Sequence, residues 1–480
     1  MIFNSLEFVA FFIAVFWGYF GVRAKYRWML LLIASYIFYA SWNPLYTLLI
    51  VGSTLVDYFA AIQVEKSRTK RAKKLYLTVS LLSNLGLLGF FKYYGFLAAE
   101  TNWLLDAIGL SERVPIFQIL LPVGISFYTF QTMSYSIDVY RGSLKAERHL
   151  GYFALYVSFF PQLVAGPIER STRLLPQLRN LRGFDYQRVR EGFQLIYWGL
   201  FKKIVVADWL ADYVNSVYGN TGESAGLACL LATFFFGFQI YYDFSAYSEI
   251  ARGCGKIFGV ELMVNFRTPY FARSIKEFWN RWHISLSTWF RDYIYFPLGG
   301  SRVAFPRVIM NILIVFAISG IWHGANWTFL IWGLLHGAAL ALLMATSGFR
   351  NSVFLKIGLS ESSLIRQGAG MILTFLFVSL TWVFFRADNL ADAIEVLSKF
   401  GSLLPISLGS GQIAAGLSRG TFLFLFVGIF IVTVLEARGL VFKIFSSSCV
   451  YHRWGLYTFL GVLMITSGHY QPSEFVYFQF

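Results

Sequence analysis

Gly320-Ile321-Trp322-His323-Gly324-Ala325-Asn326-Trp327 sets an imidazole inside an apolar run that extends from about Val308 to about Met344. An ionisable group at such a depth costs roughly 2 to 3 kcal/mol or more unless something holds it, and marks a functional position by default. The glycines beside His323, with Asn326, are poor helix-interior residues and predict that the run is broken there into two segments. Irregular backbone at membrane depth survives only where it is buried in protein or lines a cavity.

The rest of the chain fits a membrane solvent. Of 480 residues, 57% are hydrophobic and only 14% charged, with a mean hydropathy of +0.58, which excludes a soluble globule and predicts an all-α polytopic membrane protein, read as one domain over residues 1–480 with its motif-rich core near 116–346. Apolar runs lie near 5–22, 28–42, 45–64, 76–99, 116–140, 192–214, 226–246, 305–322, 326–346, 368–386, 421–438 and 455–468, giving about 11–12 transmembrane helices. Two shorter pieces, 150–167 and 278–298, are flanked by Arg and Lys and read as re-entrant or interfacial elements. Residues 387–420 read as an external or interfacial connection. Aromatic residues reach 19%, more than interfacial belts need, and suggest ring packing against lipid or along a tunnel.

The net charge of +15 is carried by short loops such as Glu65 to Lys74, which is the pattern of cytoplasmic loops in a multi-pass protein and not a nucleic-acid surface. Arg170, Arg173, Arg179, Arg182, Arg188 and Arg190 form the largest basic concentration; it reads as a solvated loop, or as a surface attracting a polyanionic cytosolic ligand. Cys229, Cys254 and Cys449 show no metal or disulfide spacing, so no metal site is expected. A Walker loop and a dinucleotide fingerprint are absent from the sequence, which argues against an ATPase.

Six histidines remain to be sorted. His149, His452 and His469 read as ordinary residues of loop edges and tail. His336 lies thirteen residues after His323, about 220° around a continuous helix, so the two would not converge, and it reads as a structural, hydrogen-bonded histidine. His283 belongs to a stretch in which Trp279, His283, Leu286 and Phe290 share one helical face, so it points either into a site or into an anchoring aromatic surface. A neutral imidazole in a dry cavity can take the proton of a hydroxyl and make it a nucleophile, the requirement of acyl transfer to an alcohol. Asp243, the deepest acid, could orient such an imidazole or bind a substrate hydroxyl.

The segments LLPVGISFYTFQTMSYSIDVYRG (120–142), FPQLVAGPIER (160–170), YYDFSAYSEIARG (241–253), NFRTPYFARSIKEFWNRWHISLSTWFRDYIYFPLGGSR (265–302), GIWHGANWTFLIWGLLHG (320–337) and EFVYFQF (474–480) together resemble the membrane-bound O-acyltransferase family, and within it the bacterial alginate O-acetylase branch. That resemblance implies a ring of spans and re-entrant helices around a central tunnel, with His323 and His283 as catalytic residues. It places Asn280, Arg281, Trp282, Asp243, Ser245, Trp322 and Asn326 as candidate tunnel or acyl-CoA residues. It also implies a bacterial inner-membrane location, acetyl-CoA as donor substrate with no bound cofactor, and a polysaccharide acceptor, foremost alginate, with peptidoglycan or cellulose as alternatives. Periplasmic partners, of the SGNH-type acetyltransferase or accessory kind, would complete delivery. A transporter of an acyl or glycan precursor is the alternative from another class; broken helices and buried acids favour it, and the absence of inverted-repeat symmetry opposes it.

Overall fold

The computed structural model describes residues 1–117, 119–401, 417–470 and 475–476; residues 402–416 of the expected connection, and 474 and 477–480 of the terminal segment, lie outside it. The described residues form an all-α multi-pass membrane protein, and each expected apolar run overlaps a helix, the one expected at 116–140 being helical only from Ile125. Seven of these helices are long and apolar enough to cross a bilayer: Pro44–Lys66, Lys70–Ala107, Gly226–Ile257, Phe305–His323, Trp327–Ala345, Leu364–Arg386 and Gly420–Ala437. Leu6–Gly21 is a shorter apolar helix. The chain divides into two compact units, Met1–Trp198 with Tyr247–Val264, and Gly199–Ala246 with Asn265–Phe480.

In the first unit local chemistry sets the helix starts. Asn43 caps Pro44–Lys66 by accepting the Leu45 N–H at 3.0 Å, and Pro44 occupies the first helical position, where its missing N–H costs nothing. Where Pro44–Lys66, Lys70–Leu88 and Ile125–Arg141 meet, the core is polar. Asp57 accepts from Ser80 Oγ at 2.5 Å and from Asn84 Nδ2 at 2.9 Å, Ser80 Oγ also lies 2.7 Å from Ser136 Oγ, and Thr132 Oγ1 donates to Asn84 Oδ1 at 2.9 Å. All five side chains are buried. The expected re-entrant piece at 150–167 is two short helices, Leu150–Ser158 and Phe160–Leu163, too short to span at 1.5 Å per residue.

The second unit carries the histidines. Phe305–His323 and Trp327–Ala345 pack as an antiparallel pair whose contact is set by small residues: a Cβ on Gly333 would lie 2.2 Å from the Phe316 carbonyl oxygen, and one on Gly320 would lie 2.3 Å from that of Phe329. With lipid tails as apolar as leucine, close backbone approach of this kind supplies much of the helix association. Gly333→Val therefore pushes the pair apart. We expect a loss of about 1–3 kcal/mol, the usual cost of overpacking, read by thermal unfolding in detergent, and a disturbed site because Trp332 is the neighbouring residue.

The segment 278–298 departs from expectation. It is not one amphipathic helix but Ile275–Arg281, then Ile284–Phe290, then a π-helical turn Arg291–Tyr295. The break falls at His283, which has φ 42° and ψ 54°, so the helical spacing that put Trp279, His283, Leu286 and Phe290 on one face does not apply across it.

Candidate active site

The expected interruption after His323 is present. The Phe305–His323 helix ends on the histidine, Gly324 is extended with φ −160° and ψ 152°, and Asn326 caps Trp327–Ala345 by accepting the Thr328 N–H at 3.0 Å. Asn326 Nδ2 donates to the Asp388 carbonyl at 2.8 Å, which fixes the corner from outside. Asn326 is thus a cap and a tether at the corner, and its side chain is committed to the backbone of Thr328 and Asp388.

His323 is held by rings. Its centroid lies 4.9 Å from Trp322, 5.0 Å from Trp332 in edge geometry and 5.2 Å from Phe385. Trp332 and Phe385 also touch each other and Trp382, and Trp382 packs on Trp282 at 5.1 Å. Trp322 is the link between the two candidate histidines, with its ring also 6.2 Å from His283. His283 is fully buried, with Phe244 edge-on at 4.7 Å, and burial pushes its imidazole down to about 3, so the ring is neutral near pH 7. The structure therefore brings His323, Trp322, His283 and Trp282 into one aromatic enclosure. His323 keeps 4% of its surface exposed and His283 none, so both imidazoles are buried.

Most of the other candidates have partners of their own. Arg281 is committed to structure: it pairs with Glu277 at 2.7 Å and donates to the Thr268 carbonyl at 3.3 Å. Asn280 is exposed. Asp243, expected to orient an imidazole, instead pairs with Lys203 at 2.9 Å and accepts the Val476 N–H at 2.8 Å. Ser245 accepts from Lys202 Nζ at 2.7 Å. These belong to a charge network that the sequence reading missed. Lys203 also reaches Asp208 at 2.7 Å, Lys202 reaches Glu436 at 2.7 Å, and Tyr241 donates to Glu436 at 2.6 Å. The signal was available: two adjacent lysines inside the apolar run 192–214 demand partners at that depth. The lysines sit on a π-helical turn, Lys202–Ala207, a widening that recurs at functional positions.

His336 is structural, as its position suggested. It is fully buried, its Nε2 lies 3.0 Å from Thr381 Oγ1, and Trp332 stands between it and His323, 5.1 Å from the one and 5.0 Å from the other. His469 is more than a tail residue: its N–H donates to the Ile204 carbonyl at 2.8 Å and its Nε2 lies 2.7 Å from Asp212.

An all-helical multi-pass protein with a buried neutral imidazole and a second imidazole at a helix break, joined by one tryptophan, has the makings of a membrane enzyme that moves protons on and off a hydroxyl. Residues 145–357 match the model of the membrane-bound O-acyltransferase family. The peptidoglycan O-acetyltransferase of Helicobacter pylori is 36% identical over 442 residues, covering 85% of this chain and 81% of that protein. The probable alginate O-acetylase AlgI of Pseudomonas aeruginosa is 38% identical over 426 residues, covering 88% and 79%. The teichoic acid D-alanyltransferase of Bacillus subtilis is 28% identical over 272 residues, covering 55% and 68%. The chain belongs to the membrane-bound O-acyltransferase family and is an O-acyltransferase.

Proposed function

We propose that this O-acyltransferase moves acetyl from cytosolic acetyl-CoA across the bacterial inner membrane to hydroxyl groups of an extracytoplasmic polysaccharide, with His323 as general base. The observation that carries this reading is the placement of His323 on the last turn of its helix, inside a ring enclosure that excludes bulk water, one tryptophan away from neutral His283. Exclusion of water matters chemically, because an activated thioester meeting an activated hydroxyl must not meet water first. A base at that position takes up a proton beside the partial negative charge of the helix's last carbonyls. His283, neutral and enclosed, is suited to orient a substrate group by a hydrogen bond rather than by charge. Entry of both substrates requires the surrounding rings to swing aside, and their return closes the site for reaction.

The acceptor class follows from chemistry common to the relatives, whose names speak of alginate, peptidoglycan and teichoic acid, all extracytoplasmic polymers bearing hydroxyls. Alginate is our first assignment and peptidoglycan the second, because the relative named for alginate is 38% identical over 88% of this chain and that named for peptidoglycan 36% over 85%. A periplasmic partner of the SGNH-type acetyltransferase or accessory kind would carry the acetyl group onward to the polymer. Purified protein in nanodiscs is expected to release free CoA from acetyl-CoA when oligomannuronate is supplied to take the acetyl group, and membranes holding the protein and its partner are expected to place acetyl esters on oligomannuronate in preference to peptidoglycan fragments. Donor turnover with esters only on peptidoglycan would reassign the acceptor. Donor silence, with uptake of an acyl or glycan precursor into vesicles, would favour a transporter.

A further inference from the structure

His283 has a backbone conformation that few side chains adopt, with φ 42° and ψ 54°, and something must hold it there. It is the residue preceding Ile284–Phe290, and its own side chain makes no capping bond to that helix. The first two helical N–H groups are taken instead by one distant residue: Ile284 N–H donates to the Asn265 carbonyl at 2.9 Å, and Ser285 N–H donates to Asn265 Oδ1 at 3.3 Å. Asn265 thus supplies, from across the chain, what a capping residue normally supplies from within. The other side of His283 is fixed by the same segment, since Arg267 N–H donates to the Arg281 carbonyl at 3.0 Å and Arg281 Nη1 reaches back to the Thr268 carbonyl at 3.3 Å. Thr268 has φ 43°, so both ends of this clamp carry the left-handed conformation that branched and bulky residues avoid. Asn265 is 1% exposed and Ser285 is fully buried, which keeps water from substituting for the bond.

We propose that Asn265 is a positioning residue of the transferase site: its side-chain oxygen fixes the start of the Ile284–Phe290 helix and thereby the direction in which the His283 imidazole points. Asn265 works through His283, so the inference rests on His283 taking part in the reaction, as the preceding section reads it. A helix start freed of one of its two anchors relaxes toward ordinary dihedral angles, and the ring swings with it. Displacements of about 1 Å at a reacting group cost on the order of 100-fold in rate.

The test is acetyl-CoA turnover, with oligomannuronate supplied as acceptor, by purified protein in nanodiscs for Asn265→Leu, Asn265→Asp, His283→Ala and the double variant Asn265→Leu/His283→Ala, with kcat and KM measured separately. Leucine keeps the volume and removes the acceptor; aspartate keeps an oxygen at the same place. We expect Asn265→Leu to lose kcat by roughly 10- to 100-fold with KM nearly unchanged, and Asn265→Asp to recover most of that loss. In the His283→Ala background, Asn265→Leu should have no further effect, because residues that act through one another are not additive. Asn265→Leu at native kcat while His283→Ala is impaired would overturn the positioning role and leave the role of His283 standing. His283→Ala at native kcat would remove the group being positioned and overturn both. If Asn265→Leu does not reach the membrane, Asn265→Asp decides: recovery to within about threefold of native kcat supports the role, and a greater loss overturns it, since the acceptor oxygen is retained.

Discussion

His323→Ala is expected to lower the rate of acyl transfer by about 10²- to 10⁴-fold, the usual contribution of a positioned general base, while the protein still inserts and unfolds at nearly the native temperature. Much of the stability is spared because the ring's packing on Trp332 and Phe385 is by edge contacts between rings. The helix loses only its last side chain, and the corner beyond it is secured independently by Asn326 on Thr328 and Asp388. His323→Gln, which keeps size and hydrogen bonding but cannot take the proton, should be as inactive as alanine. The measurement is acetyl-CoA turnover alongside a thermal unfolding curve. A glutamine variant with near-native turnover would refute the base assignment, whereas a collapse of stability in both variants would make His323 a packing residue.

Lys203→Met is expected to destabilise the second unit strongly. Asp208 and Asp243 reach the Lys203 ammonium at 2.7 and 2.9 Å, and their side chains are only 1% and 4% exposed. Removing the cation leaves two buried carboxylates beside each other without it, and losing one partner of a buried ion pair costs about 3–5 kcal/mol. That is a large part of the roughly 5–15 kcal/mol that separates folded from unfolded protein, so the variant should accumulate poorly. Lys203→Arg keeps the charge and should be milder. Neutralising the whole group, as Lys203→Met with Asp208→Asn and Asp243→Asn, should recover much of the loss, because a buried ion network can often be replaced by neutral groups at little cost. Unfolding in detergent across the three variants decides; a triple variant no better than Lys203→Met alone would show that the lysine acts by shape and not by charge.

The membrane architecture was legible in the sequence because each apolar run had to satisfy its backbone within itself, so hydropathy alone marks the helices. The corner after His323 was legible for a different reason: Gly324 and Asn326 advertise it locally, one by lacking a side chain and the other by capping. The break at His283 was not. Its neighbours Trp282 and Ile284 carry no turn chemistry, and the helical spacing of Trp279, Leu286 and Phe290 runs straight through it. What breaks the helix is the backbone of 265–268 laid alongside, a contact between segments that no local pattern encodes. The same reason hid the role of Asp243. Its depth was readable, but its partners Lys203 and Val476 lie at chain separations of 40 and 233 residues, and only folding reveals that the acid serves the lysine and the tail rather than an imidazole.

The polar cluster around Asp57 has a consequence for how the first unit tolerates change. Apolar faces in lipid slide past one another with little penalty, so they leave the rotation of a helix about its own axis weakly determined. Asp57, Ser80, Asn84, Thr132 and Ser136 remove that freedom for three helices together, since turning any one of them by a single residue, 100°, would part its polar groups from their partners. The outward residues of Pro44–Lys66 and Lys70–Leu88 are accordingly free to drift among aliphatic types, while these five positions act as a combination lock that must be changed, if at all, as a set.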